Sequence, residues 1–147
     1  ITPERFRDGL RTVVEGIRAR TPARVAICTP STFGESLHSR TWHVLGRYAA
    51  MARLVASERG CSLVDVRAAF ERELASLPER SLTTRLCALA IRRPQEMDME
   101  MLARRRGYAL TYDGIHYNGQ GAALVASVFE DWLLATIPLA THSAPRS

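Results

Sequence analysis

Stretches with helical spacing of apolar residues alternate along this chain with short runs that are apolar throughout. Near the start, the Thr-Pro-Glu sequence at residues 2–4 is typical of a helix N-terminus. The apolar residues that follow are three, four or one positions apart: Phe6, Leu10, Val13, Val14 and Ile17. This spacing predicts a helix that ends before Pro22.

Two continuous apolar runs are typical of strands that are covered on both faces. RVAICT occupies residues 24–29 and CSLVDV occupies residues 61–66. Between them, residues 41–59 have apolar positions at helical spacing, and the next residue is Gly60, a residue type that commonly follows a helix. Buried strands that are joined by a helical crossover are expected to be parallel.

The second half of the chain is predicted to be mostly helical. Apolar spacing indicates helices marked by Phe70, Leu74 and Leu77, by Leu82, Leu86 and Leu89, and over residues 95–106. Asn118 can cap a last helix, whose predicted inward-facing residues are Val125, Val128, Phe129 and Trp132. Residues 138–147 are rich in Ala, Thr, Ser and Pro and are expected to form a disordered tail.

This alternation of helices and strands is an α/β pattern within one domain, residues 1–137. Two buried strands cannot form a stable sheet alone, because the strand edges need neighbours. The first helix also has no strand before it. We therefore expect the domain to be incomplete at its N-terminus, with about two or three further strands upstream of Ile1.

Composition and charge disfavour several classes of protein. The net charge is +5, but all 20 basic residues are Arg and they are scattered over several predicted helices, so no nucleic-acid partner is expected. No apolar run is long enough to cross a membrane. Three widely spaced cysteines favour neither a disulfide framework nor a zinc site. Cys28 and Cys61 border the apolar runs and are expected to be buried thiols.

An Asp and a His lie three residues apart just before the last predicted helix, within TYDGIHYNGQG. A carboxylate that accepts from Nδ1–H of a histidine selects one tautomer, which leaves the other ring nitrogen free to act as a base. Asp113 is close enough in sequence to do this for His116, and Gly114 permits the bend between them. Sites in open α/β sheets form at the carboxyl ends of strands, and we expect the loops that follow Thr29 and carry Asp113 to meet there.

The same residues also have plainer interpretations. Asp-Gly is a common turn dipeptide, and a histidine beside a helix start can simply bond to the backbone. Ser31 is a less favoured substitute for a nucleophile, since a serine after a strand more often stabilises the loop. Asp65 could be a site carboxylate, but a cap on the next helix is the favoured interpretation. No metal site is expected, because His116 lacks ligand spacing to the other histidines, His38, His43 and His142.

The segment DGIHYNGQGAALVASVFEDWL resembles the last sequence block of the SGNH (GDSL) hydrolases. In that family an Asp-x-x-His pair precedes a polar residue, a Gly and the C-terminal helix. The matching residues, in order and spacing, are Asp113, His116, Asn118 and Gly121. Two earlier stretches, ITPERFRDGLRTVVEGIRARTPARVAICTPS and YAAMARLVASERGCSLVDVRAAF, are similar to helix–strand units of the family, so the resemblance extends over nearly all of residues 1–135.

The resemblance implies a flavodoxin-like, three-layer α/β/α sandwich with a parallel sheet. It also implies hydrolysis of an ester of a lipid, a small acyl compound or an acetylated sugar, without a metal or organic cofactor. His116 would be the general base and then the general acid, with Asp113 as its orienting partner. The family's nucleophilic Ser and its oxyanion-hole Gly and Asn belong to blocks that this sequence lacks. They are expected upstream of Ile1, and the 147 residues alone are expected to have negligible esterase activity.

Two other classes of protein remain open at this stage. A non-catalytic α/β binding module would keep the fold and would have no upstream Ser in a Gly-Asp-Ser context. A basic nucleic-acid-binding domain would agree with the net charge, but no recognition motif supports it. The compartment, the oligomeric state and the acyl-chain length of a substrate do not follow from the sequence.

Overall fold

Helices and strands alternate in the computed structural model, which describes residues 1–77 and 99–136. The helices are α1 (Pro3–Arg18), α2 (Arg40–Glu58), α3 (Val66–Ala75), α4 (Met99–Arg106) and α5 (Gly119–Thr136). The strands are β1 (Ala26–Cys28) and β2 (Ser62–Val64). The predicted helix marked by Leu82, Leu86 and Leu89 lies outside the described residues, as does the predicted tail.

The first three helices each begin at a side chain that accepts a hydrogen bond from the first turn. Thr2 Oγ1 accepts from the backbone N–H of Arg5 at 3.3 Å, and Ser39 Oγ accepts from that of Trp42 at 3.1 Å. Asp65 Oδ1 accepts from Ala68 N–H at 3.2 Å. Each bond satisfies a donor that the helix itself leaves unpaired, which fixes where the chain leaves its loop.

The two strands are parallel, as their helical crossover predicts. Ile27 lies opposite Leu63 in the register, between the pairs Ala26–Ser62 and Cys28–Val64. On one side of the sheet, a core of Val14, Ile27, Ala52, Val55 and Ala56 joins β1 to α1 and α2. On the other side, a core of Trp42, Val64, Val66, Phe70, Leu74 and Leu110 joins β2 to α3 and α5. The predicted α/β fold, with helices on both faces of a parallel sheet, is confirmed.

The prediction that both strands are buried on both faces is only partly correct. Ile27 and Val64 are buried, whereas Leu63 is exposed. The expectation of buried thiols is wrong for Cys28, which is exposed, and Cys61 is only partly buried. In the described part of the chain the sheet has two strands, so each strand pairs with a neighbour along one edge.

The last helix, α5, is fixed against the segment that precedes it. Asn118 caps the helix as predicted, because its Oδ1 accepts from Gly121 N–H at 2.9 Å, while its Nδ2 donates to the carbonyl of Ala109 at 2.9 Å. A Cβ at Gly121 would overlap the carbonyl oxygen of Leu110, so only glycine allows this approach. Of the four residues predicted to face inward, Val125, Val128 and Trp132 pack on the core, and Phe129 is exposed.

Within the described residues, no helix combines the length and the apolar character that a bilayer crossing requires.

Candidate active site

Two loops meet at the carboxyl end of the sheet. The strand loop, residues 29–39, follows β1, and the histidine loop, residues 107–118, joins α4 to α5. Gly34 N–H donates to the carbonyl of Gly114 at 2.6 Å, and both glycines have positive φ, 86° and 92°. A Cβ at Gly114 would lie 3.3 Å from Gly34 Cα. The two backbones are therefore in direct contact, and no side chain separates them.

Asp113 folds the histidine loop around its own carboxylate. Its Oδ1 accepts from the backbone N–H groups of Ile115 and His116, both at 2.9 Å. Its Oδ2 lies 2.9 Å from Nδ1 of the His116 ring. An ionised carboxylate can only accept, so beside a neutral imidazole this contact places the proton on Nδ1 and leaves Nε2 as the lone-pair nitrogen.

The two side chains differ sharply in exposure. The Asp113 side chain is 6% exposed, whereas that of His116 is 71% exposed. The carboxylate is thus inside the protein, whereas the ring is largely exposed to solvent. An imidazole whose Nδ1 is bound to a carboxylate and whose ring is otherwise exposed can accept a proton at Nε2. The donor would be a group outside the described residues.

The pKa of Asp113 is lowered from its ordinary value. Burial acts to raise it, but the backbone and side-chain hydrogen bonds from His116, together with that from Ile115 N–H, favour the charged form and outweigh burial. Asp113 is therefore a carboxylate at neutral pH, which is the form that can orient an imidazole and stabilise its protonated state.

Ser31 lies on the same edge but has another partner. Its Oγ is hydrogen-bonded to the hydroxyl of Tyr117, the residue after His116. Ser31 is buried, and the Tyr117 ring packs on Phe70 with ring centroids 5.4 Å apart. Ser31 therefore links the strand loop to the histidine loop, in agreement with a structural role.

Asp65 is accounted for by structural contacts. Besides capping α3, it accepts from Arg53 at 2.8 and 3.0 Å and from the hydroxyl of Thr29 at 3.0 Å. Burial acts to raise its pKa, but the bonds from Arg53, Ala68 and Thr29 lower it overall. The favoured interpretation of Asp65 as a helix cap is confirmed.

Glu35 was not anticipated from the sequence. Only 8% exposed, it reaches from the strand loop into the start of the histidine loop and accepts three hydrogen bonds there. An acidic residue in a loop gives no periodic signal in the sequence. Its hydrogen-bond donors lie 74 to 76 positions away along the chain. Only the contact between the two loops reveals it.

The described residues contain no group of three or more His, Cys, Asp or Glu side chains placed to hold a metal ion. His38 and His43 line a shallow surface pocket with Arg40, Val44 and Arg47. Two cationic Arg side chains among them disfavour a divalent cation there.

Three solved structures have a similar fold. One is a variant of an acetyl-xylooligosaccharide esterase from Geobacillus, with a TM-score of 0.63, 17% identity, and a match over 90% of this chain and 48% of that one. Another is an alpha/beta hydrolase from the metagenome of Lake Arreo, Spain, with a TM-score of 0.62, 22% identity, and coverage of 90% and 47%. An acetyl xylan esterase matches with a TM-score of 0.57, 17% identity, and coverage of 92% and 56%.

The described chain has the α/β fold of the matched part of these three structures. The chain spans about half the length of the solved structures that it matches. No family model matches the sequence, and no curated protein matches it significantly. At these identities the similarity establishes the fold, and the activity has to be argued from the residues of the site.

Proposed function

We propose that this chain is the C-terminal part of a serine ester hydrolase of the SGNH (GDSL) type. The observation that carries the proposal is the Asp113–His116 pair, in which a buried carboxylate holds Nδ1 of an exposed imidazole. This is the arrangement of base and orienting acid in serine hydrolases. The fold supports the proposal, because the matched structures include two esterases.

In the proposed reaction, Nε2 of His116 takes the proton of a serine hydroxyl while the serine oxygen attacks the ester carbonyl carbon. The protonated ring, stabilised by Asp113, then gives that proton to the alcohol oxygen as the C–O bond breaks. A water molecule, deprotonated by the same nitrogen, then attacks the acyl carbon. As the bond between that carbon and the serine oxygen breaks, Nε2 returns the proton to the serine oxygen and the carboxylic acid is released. No metal or organic cofactor takes part in these steps.

The serine is proposed to lie upstream of Ile1, together with the donors of the oxyanion hole. Two observations support a nucleophile outside the described residues. The matched structures are about twice as long as this chain, so their fold has room for further strands. Ser31, the local alternative, is buried and hydrogen-bonded to Tyr117.

Among ester substrates, we favour an acetylated sugar. Two of the matched structures are named as esterases of acetylated xylan or xylooligosaccharides. Esters of lipids or of other small acyl compounds are the alternative substrates, and comparing acetyl with long-chain esters of one alcohol distinguishes them.

The test uses the natural protein that contains this chain and a fluorophosphonate probe that reacts with activated serines. Intact-mass spectrometry should show one adduct on a protein heavier than 16.4 kDa, with the modified Ser upstream of Ile1. The His116→Ala variant should lose the adduct. A wild-type protein that gains no adduct and hydrolyses no ester would favour the non-catalytic module. An adduct on Ser31 would place the nucleophile within this chain.

A further inference from the structure

We propose that Glu35 is the positioning residue that fixes the Asp113–His116 pair at the sheet edge. This inference rests on the proposed function and adds to it a residue from the other loop. The proposal concerns the orientation of the His116 ring, since Glu35 has no described contact with the ring itself.

Glu35 accepts three hydrogen bonds from the histidine loop, one at Oε2 and two at Oε1. Oε2 accepts from Ala109 N–H at 2.7 Å, and Oε1 accepts from Leu110 N–H at 2.9 Å. Oε1 also accepts from the hydroxyl of Thr111 at 2.6 Å. All three donors are neutral, and hydrogen bonds to a charged acceptor are about twice as strong as those between neutral groups.

Thr111 passes this constraint to the pair. While it donates to Glu35, its Oγ1 accepts from Gly114 N–H at 3.0 Å, and the Thr111 side chain is fully buried. Gly114 follows Asp113 directly and lies in the turn that brings His116 back to it. A continuous path of hydrogen bonds thus runs from the Glu35 carboxylate through the Thr111 hydroxyl to the turn.

A buried carboxylate without a cationic donor among these bonds is costly, because a charge loses hydration on burial. A neutral residue of similar size would avoid that cost if the site needed only to be filled. What the carboxylate provides is two acceptor oxygens for three converging donors, which a single amide oxygen cannot match. We therefore infer that the charge is used to hold the histidine loop in register.

The test is Glu35→Gln in the full-length protein, with Glu58→Gln as the matched control. Glu58 pairs with Arg11 on α1 at 2.6 Å, and neither residue belongs to the two loops. In Glu35→Gln, the amide NH₂ replaces one acceptor and faces a donor. We expect kcat for an acetyl ester to fall by about 100-fold, the effect of a misplacement near 1 Å, with little change in KM. Glu58→Gln should keep the wild-type kcat.

A second readout does not depend on activity. Long-range ¹H–¹⁵N spectra report which ring nitrogen of a histidine carries the proton, and the His116→Ala variant assigns the signal. The wild type should have the proton on Nδ1, and Glu35→Gln should show a mixture of tautomers. A folded Glu35→Gln protein with the wild-type tautomer and kcat would overturn the proposal.

If Glu35→Gln does not fold, a comparison of Thr111→Val with Thr111→Ser tests the proposal instead. Valine removes the hydroxyl link at nearly constant volume, so the tautomer should become mixed, whereas serine restores the link and the Nδ1–H form. Equal spectra for the two variants would reject the path. The outcomes also separate the two proposals: an inactive wild type refutes the esterase, while a Glu35-dependent tautomer still supports the positioning role.

Discussion

Asp65 and Asp113 are two carboxylates that look alike by most measures. The side chain of each accepts at least one backbone N–H from the turn that follows it, and each has a lowered pKa. They differ in the partner of the remaining oxygen. For Asp65 it is the guanidinium of Arg53, a permanent cation, and for Asp113 it is an imidazole that is 71% exposed.

The difference teaches that a perturbed pKa does not by itself identify a functional carboxylate. Both residues are stabilised as anions, by the same kinds of bond. Arg53 cannot give up its proton, so its pair with Asp65 only stabilises the fold. The imidazole of His116 has a second ring nitrogen, Nε2, and a largely exposed ring, so the second pair can take part in acid–base chemistry.

The largest expected effect is that of His116→Ala on hydrolysis by the full-length protein. The proposed role of His116 as the base predicts that its loss lowers kcat by about 10⁴-fold or more. Stability should change little, because the ring is mostly exposed. Initial rates with an acetyl ester and a thermal melt by circular dichroism measure both. An activity within tenfold of the wild type would remove His116 from the mechanism.

The next effect separates the two carboxylates by the same substitution. Asp113→Asn should lower kcat by about 10⁴-fold, because the amide can donate to Nδ1 and select the wrong tautomer. Asp65→Asn should leave kcat unchanged and lower the free energy of unfolding by about 1–3 kcal/mol, through loss of the charged bonds to Arg53.

Urea titration and steady-state kinetics on both variants complete this comparison. A loss of kcat in Asp65→Asn as large as that in Asp113→Asn would show that the two residues do not have separate roles. An equal kcat in the wild type and both variants would show that Asp113 has only a structural role.

The smallest effect is on stability in acid. Both carboxylates have a folded-state pKa below the ordinary value of about 3.9. Their contribution to the free energy of unfolding is therefore complete above that pH and is lost as the pH falls through the lowered values. Urea unfolding at pH 6 and pH 3 should show a smaller acid-induced loss in Asp65→Asn than in the wild type. The same loss in both would contradict this assignment.

Local signals explain what the sequence could predict. Thr2 and Asn118 lie next to the donors that they cap, so the starts of α1 and α5 could be located from a few neighbouring residues. The Asp113–His116 contact spans three residues and was also accessible. The strands were placed correctly but too long, since apolar runs of six residues contain strands of three.

Contacts between distant segments explain what the sequence could not show. The partner of Ser31 is Tyr117, and the donors to Glu35 begin at Ala109, so neither contact follows from spacing or composition. The exposure of Leu63 and Cys28 depends likewise on which elements cover the sheet. These features follow from contacts between segments that are distant in sequence.

The bonds of Glu35 also have a consequence for the order of folding. Asp113 and His116 are neighbours in sequence, and their turn can close within a short peptide. The bonds of Glu35 to the start of the histidine loop join residues 74 to 76 positions apart, and long loops close slowly because their closure costs entropy. We therefore expect the pair to form early and to be aligned late, once α1 to α5 have assembled.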